Sequence, residues 1–199
     1  MEDKEFFKQL GQHLGCEPAA LKAIEEVESG GRGGFLSGKP QILFEGHQFY
    51  KKLKESKSEA FAKQVASRFP NICYPKWDKT KYFGGSREWE RLTLARSVDP
   101  FFADMCASWG IGQIMGFNFA LCDCSSVAEF VQRMSKSKEE QVRLWMNFLK
   151  NSPACINALR KKDWAAFAKA YNGPGYKQNK YDTKLAVAHK KYVNRGYNN

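Results

Sequence analysis

The chain has 199 residues, 43% of them hydrophobic, and its 32 Lys+Arg against 21 Asp+Glu give a formal charge of +11. It can therefore bury one real core, and it holds no apolar run long enough to span a bilayer. So cationic a surface points to an anionic partner such as nucleic acid, an anionic membrane face or an acidic bacterial envelope, unless it serves only solubility.

Taken in chain order, helical periodicity dominates. Residues 1–14 read as an amphipathic helix with Phe6, Phe7, Leu10 and Leu14 on one face. Helices are expected over 18–29, over 45–68 with a break around Lys57, and over 87–97. Further helices are expected over 100–108, 126–135, 137–150, 153–160, 163–171 and 181–194. Two of these carry start signals: Ser126 is followed three residues later by Glu129, and Pro153 suits a first helical position. Residues 30–44, "GGRGGFLSGKPQILF", suit a glycine-rich loop with a short strand or hairpin. The stretch 71–86 is an irregular aromatic and basic loop. The fold class is thus mostly α, with a small β element placed directly after a cluster of carboxylates.

The cysteines Cys16, Cys73, Cys106, Cys122, Cys124 and Cys155 are expected to be reduced and mostly buried. The C-D-C at 122–124 lacks a second nearby pair, and His13, His47 and His189 are scattered, so neither metal nor other cofactor is expected. No charged-then-apolar leader opens the chain. The expectation is synthesis in the cytoplasm, with release through a membrane lesion made by another protein.

The carboxylate cluster is "AIEEVESGG" at 23–31. At about 100° per residue, Leu21, Ala23, Ile24 and Val27 define the buried face of the helix. Glu26 falls opposite and should be solvated, while Glu25 lies at the edge. Glu28 falls back among the apolar residues, in the last turn before the glycine stop at Gly30 and Gly31. The negative helix end and partial burial both favour its neutral form, as a general acid near neutral pH requires. The alternative is a structural salt bridge to Arg32 or Arg91. A second carboxylate, Glu45, follows the apolar run Ile42-Leu43-Phe44 and stands where a helix begins, an end that favours the ionised form. Two carboxylates biased in opposite directions are the pattern of an acid/base pair.

Two more segments bear on this pair. "SWGIGQIMGFN" at 108–118 is a run of small, polar and aromatic residues, and "AYNGPGY" at 170–176 ends a helix in a tight turn flanked by tyrosines. With "VESGG" at 27–31, in that order, they resemble the lysozyme-like superfamily of peptidoglycan-cleaving enzymes. "GKPQILFEGHQFY" at 38–50 and "YNGPGYKQNKYDTKLA" at 171–186 bring the chain nearer to one branch, the phage-type N-acetylmuramidase endolysins, over roughly residues 20–190.

That resemblance implies a two-lobed helical fold and one catalytic domain over 1–199, with 1–18 as an N-terminal helix packed on it and no separate wall-binding domain. It implies Glu28 as catalytic general acid and Glu45 as base or charge stabiliser. It places Ser108, Trp109, Gly110, Gln113 and Ile114 in a cleft wall, with Tyr171, Asn172 and Tyr176 in the turn facing it. Aromatic faces suit stacking on pyranose rings, and the amides suit hydroxyl and acetamido groups. Ser29 either supports Glu28 by a hydrogen bond or caps the helix. The implied reaction is hydrolysis of the β-1,4 bond between N-acetylmuramic acid and N-acetylglucosamine by a monomer, retaining or inverting according to the carboxylate separation. A lytic transglycosylase of the same superfamily is the near alternative.

From another class, a non-catalytic module binding nucleic acid or envelope is the rival, resting on "YPKWDKTKYF" at 74–83 and "HKKYVNRGY" at 189–197. No nucleic-acid motif accompanies these stretches, so nucleic acid is not the expected partner; peptidoglycan glycan strands are. The basic C-terminal helix, with Lys184, His189, Lys190, Lys191 and Arg195, offers either an envelope contact or a docked helix with a solvated face.

Overall fold

The computed structural model describes residues 3–30 and 33–199. In chain order it begins with helices α1 (Asp3–Leu14) and α2 (Pro18–Ser29), then short strands β1 (Phe35–Leu36), β2 (Lys39–Pro40) and β3 (Ile42–Phe44). Helices α3 (Gly46–Ser56), α4 (Glu59–Arg68), α5 (Glu88–Arg96) and α6 (Pro100–Met105) follow, then strands β4 (Ala107–Trp109) and β5 (Ile114–Met115). The chain ends in α7 (Val127–Met134), α8 (Lys138–Lys150), α9 (Pro153–Lys161), α10 (Trp164–Asn172) and α11 (Tyr181–Asn194). The mostly helical class with a small β element after α2 is as expected.

Local chemistry explains most boundaries. Pro18 opens α2, and Gly30 closes it with φ 59°, a left-handed cap that a side chain would strain. The expected break near Lys57 is real: the Ser58 hydroxyl accepts from the Phe61 N–H at 3.0 Å and starts α4 as a new helix. Ser126 caps α7 by accepting from the Glu129 N–H at 3.1 Å. The Glu129 carboxylate reaches back not to Ser126 but to the N–H of Ser125 at 2.8 Å, a capping box slipped by one residue. Pro153 is indeed the first residue of α9.

The helix expected over 100–108 is a correction. It stops at Met105, because residues 107–109 are taken into a three-stranded antiparallel sheet of order β3-β4-β5. Phe44 pairs with Ala107, Leu43 with Ser108 and Ile42 with Trp109, while Ser108 and Trp109 also pair with Met115 and Ile114. Strands β1 and β2 form a separate two-stranded hairpin, Phe35 opposite Pro40.

The chain divides into two compact units, residues 1–33 with 145–199, and residues 34–144. In the first unit α2 packs against α1 and α11, and its Leu21, Ala23 and Ile24 are fully buried. Arg160 of α9 holds the end of α1 by donating twice to the Leu14 carbonyl, at 3.0 and 2.8 Å. Glu17, just before α2, is gripped by Lys162 at 2.5 Å, His189 at 2.8 Å and Asn198 at 3.0 Å. In the second unit, Phe44, Phe49, Leu53, Leu92 and Phe130 lie in the core.

At the heart of the second unit is a buried ion pair. Arg91 and Glu88 of α5 are 1% and 0% exposed and meet at 2.7 Å. Arg91 also donates to the carbonyls of Phe44 at 2.7 Å and Asn71 at 3.0 Å, and its guanidinium lies 5.3 Å from the Phe44 ring centre. Glu88 accepts from the N–H groups of Phe44 at 3.1 Å, Phe83 at 2.7 Å and Gly84 at 3.0 Å. Charges this deep are tolerated only when they are paired and hydrogen-bonded, as here.

Candidate functional site

The candidate residues fall in both units. In the first, the phase argument for Glu28 holds. At 8% exposure its carboxyl sits in the last turn of α2, and the Asn172 amide at the end of α10 donates to its Oε1 at 3.3 Å. Burial pushes this carboxyl up to about 7, against the pull of the Asn172 amide and the Lys184 ammonium. Of the two salt-bridge partners considered for it, Arg91 is committed to Glu88, and Arg32, like Gly31, lies outside the described residues.

Its neighbours depart from the expected pattern. Glu25 is not a rim residue: at 5% exposure it is buried, with Lys22 at 3.0 Å neutralising it. Glu26 is not free in solvent either. Lys191 and the Tyr192 hydroxyl of α11 both bond it, and although burial opposes them they hold its carboxyl below the usual range. Helical phase alone missed both because the partners come from elsewhere on the helix and from the far end of the chain. The Ser29 hydroxyl donates back to the Glu25 carbonyl at 2.6 Å. Tyr171 is half-buried, stacked on Phe167 at 5.2 Å and edge-on to Phe148 at 5.5 Å. Tyr176 is buried.

In the second unit Glu45 stands where β3 hands over to α3, as expected, but its side chain does not cap the helix. It accepts from the Tyr82 hydroxyl at 2.6 Å and lies 3.3 Å from His47 Nδ1. Burial, then the Glu45 charge, pushes the Tyr82 phenol well above its ordinary range, so it stays a proton donor to the carboxylate. Trp77, 53% exposed, pulls the same phenol back down. The Glu88–Arg91 pair braces this arrangement from below, since it bonds the backbone of Phe44 beside Glu45 and of Phe83 beside Tyr82.

The 108–114 segment is a folded turn more than an open wall. Trp109 is fully buried, its indole donating to the Asp104 carbonyl at 3.1 Å and its ring edge-on to Trp89 at 5.8 Å. A stacking platform for sugar must show a face to solvent, so Trp109 is corrected to a core residue. Ile114 is likewise buried at 2%. Gln113 holds φ 44° and spends its amide within the turn, donating to Gly110 O at 2.8 Å and accepting from the Ser108 hydroxyl at 2.9 Å.

Gln141 of α8, fully buried, clamps the same turn: it accepts from the Ile111 N–H at 2.9 Å and donates to the carbonyls of Gly34 and Met134 at 3.1 and 2.9 Å. Gly110, with φ 68°, fits beneath it. A Cβ there would stand 2.8 Å from Gln141 Oε1 and from Met134 Sδ. Gly110→Ala is therefore expected to lower unfolding free energy by roughly 2–4 kcal/mol, read by urea denaturation, from backbone strain together with overpacking.

The family model of the N-acetylmuramidases matches residues 17–193. The chain belongs to the N-acetylmuramidase family. It is a peptidoglycan hydrolase, and the resemblance read in its motifs is borne out. Among solved structures this muramidase is similar to the crystal structure of Burkholderia AP3 phage endolysin, at 34% identity and a TM-score of 0.81, covering 96% of this chain and 71% of that one. No curated protein matches it.

All six cysteines of the muramidase are free and buried, as expected of burial, and desolvation pushes the thiols of Cys73 and Cys106 up to about 12 and that of Cys155 to about 11. Thiols so raised are poor nucleophiles and poor metal ligands near neutral pH. Among the described residues no group of three His, Cys, Asp or Glu is placed to hold a metal ion, and no helix is long and apolar enough to cross a membrane. Sequence reasoning passed over Tyr82, His47, Trp77 and Gln141. Only the aromatic density of 71–86 signalled the first and third; Gln141 is a polar residue on a helix with no local sign of its distant partners.

Proposed function

We propose that this muramidase cleaves the β-1,4 bond between N-acetylmuramic acid and N-acetylglucosamine by hydrolysis, with Glu28 as general acid. The observation that carries the reading is one carboxyl, 8% exposed at a helix C-terminus and raised to about 7, so that it holds a proton near neutral pH. Glu28 gives that proton to the leaving glycosidic oxygen. Water completes the reaction, so each bond broken consumes one water and leaves a reducing end.

Glu45 is the proposed second carboxylate, activating water or stabilising positive charge on the sugar. The Tyr82 bond at 2.6 Å fixes its orientation. Asn172 steadies the acid, while Tyr171 and Ser108 are proposed to contact substrate. Trp109, Gly110, Gln113 and Ile114 are proposed to support the substrate-binding surface of the second unit, Tyr176 that of the first, and Ser29 to brace the end of α2. The biological role is that of an endolysin, the word used for the Burkholderia phage protein, acting as a monomer on the host wall.

Mass spectrometry of digested purified peptidoglycan tests the chemistry. Reducing-end N-acetylmuramic acid, carrying one ¹⁸O per cut in labelled water, is the expected product. Anhydro ends without label mean a lytic transglycosylase, and reducing-end N-acetylglucosamine means that the other glycosidic bond is cut.

A further inference from the structure

Beside Glu28, within the first unit, α2 and α11 leave an open groove of about 420 Å³. Its floor is apolar and small-featured, made by Val27, Val187 and Ala188, and Val187 is 65% exposed. Its charge comes from Lys180, Lys184 and Lys191 against the single acid Glu26. Glu26 and Lys191 cancel each other through their own ion pair. The ammonium groups of Lys180 and Lys184 therefore set the sign of the groove. Lys180 holds a left-handed backbone, φ 51°, at the start of α11, and Lys184 lies over the Tyr181 ring at 5.5 Å.

We propose that this groove binds the acidic stem peptide of the muramyl unit that the enzyme cleaves. The inference rests on the muramidase reading above. Two cations over a floor of small apolar groups complement a short peptide that alternates carboxylates with alanyl methyl groups. Position argues the same way. Val27, which lines the groove, directly precedes Glu28 in the last turn of α2, so groove and acid adjoin along that helix. The stem peptide hangs from the lactyl ether of the same sugar, and four extended residues reach about 13 Å, enough to run from the acid along α11. Peptide binding in this groove selects wall polymer over glycan that has lost its peptides.

The test compares kcat/KM on glycan strands carrying stem peptides with that on the same strands stripped by an amidase, for wild type and for K180E/V187D. Both substituted residues are exposed, and thermal melting confirms that the variant is folded. Wild type is expected to favour the peptide-bearing strands by about tenfold, the worth of one charge-assisted contact, and the variant to lose most of that ratio. Equal wild-type rates on the two polymers, or an unchanged ratio in the variant, overturn the proposal. So does an unchanged ratio with weakened sedimentation on phosphatidylglycerol vesicles, which assigns the groove to a lipid surface. Reducing ends from neither polymer overturn the muramidase reading itself, and the inference falls with it.

Discussion

Glu28→Gln is expected to slow the cleavage of purified peptidoglycan by about 10²–10⁴-fold and, at the same time, to make the protein more stable above neutral pH. Both effects follow from one fact, that burial has raised this carboxyl from 4.5 to about 7. A raised acid binds its proton more tightly in the folded state than in the unfolded state. Its contribution to stability is complete below pH 4.5 and is lost as the pH climbs through 7. At pH 8 the native protein holds an ion in a site built for a neutral group, at a cost of about 3 kcal/mol. Glutamine removes the ionisation and keeps the shape.

Thermal melts at pH 8 should therefore place the variant several degrees above wild type, while melts at pH 4 should superimpose. The turnover of wild type should fall on the alkaline side of about 7, where the acid has lost its proton. A variant that clears cell walls at near wild-type rate would remove Glu28 from the mechanism. Equal melting temperatures at pH 8 would remove the buried neutral acid.

Arg91→Met is expected to be among the most damaging single changes, lowering unfolding free energy by about 3–5 kcal/mol in urea titrations, because it leaves Glu88 charged, buried and short of a partner. An isolated buried pair is often rescued by making both members apolar. That rescue should fail here: Glu88 also accepts from the N–H groups of Phe44, Phe83 and Gly84, which an E88L/R91M double variant leaves orphaned. If the double variant proves as stable as wild type, those backbone bonds matter less than their geometry implies. The same pair supports the backbone on either side of the Tyr82–Glu45 bond, so a milder change at Arg91 that still folds should slow catalysis as well.

What was legible in the sequence was whatever repeats along it. Residues 18–29 and 45–68 showed their helices, the second with its break, because 3.6-residue periodicity and a Ser cap are local signals. Glu28 was legible for the same reason, being a carboxylate in an apolar phase. Strand β4 was not. Three residues show no period, and Ala107–Trp109 follow a helix closely enough to be read as its tail. Glu25 and Glu26 were misjudged because their burial depends on Lys22, on Asp3 through Lys22, and on a helix more than 150 residues away. Trp109 illustrates the limit of motif resemblance: the motif was found, and the side chain nonetheless points into the core.

The first unit is stitched from both ends of the chain, residues 1–33 and 145–199, with 34–144 folded between them in sequence. During synthesis the middle segment is finished and able to collapse while α2 still lacks α10 and α11. Helix α11, which packs on α2, and Asn172 of α10, which bonds Glu28, emerge from the ribosome late. Until they do, the burial that raises this carboxyl is incomplete. On the proposed reading of Glu28, the nascent chain therefore lacks its buried acid until α11 has packed on α2.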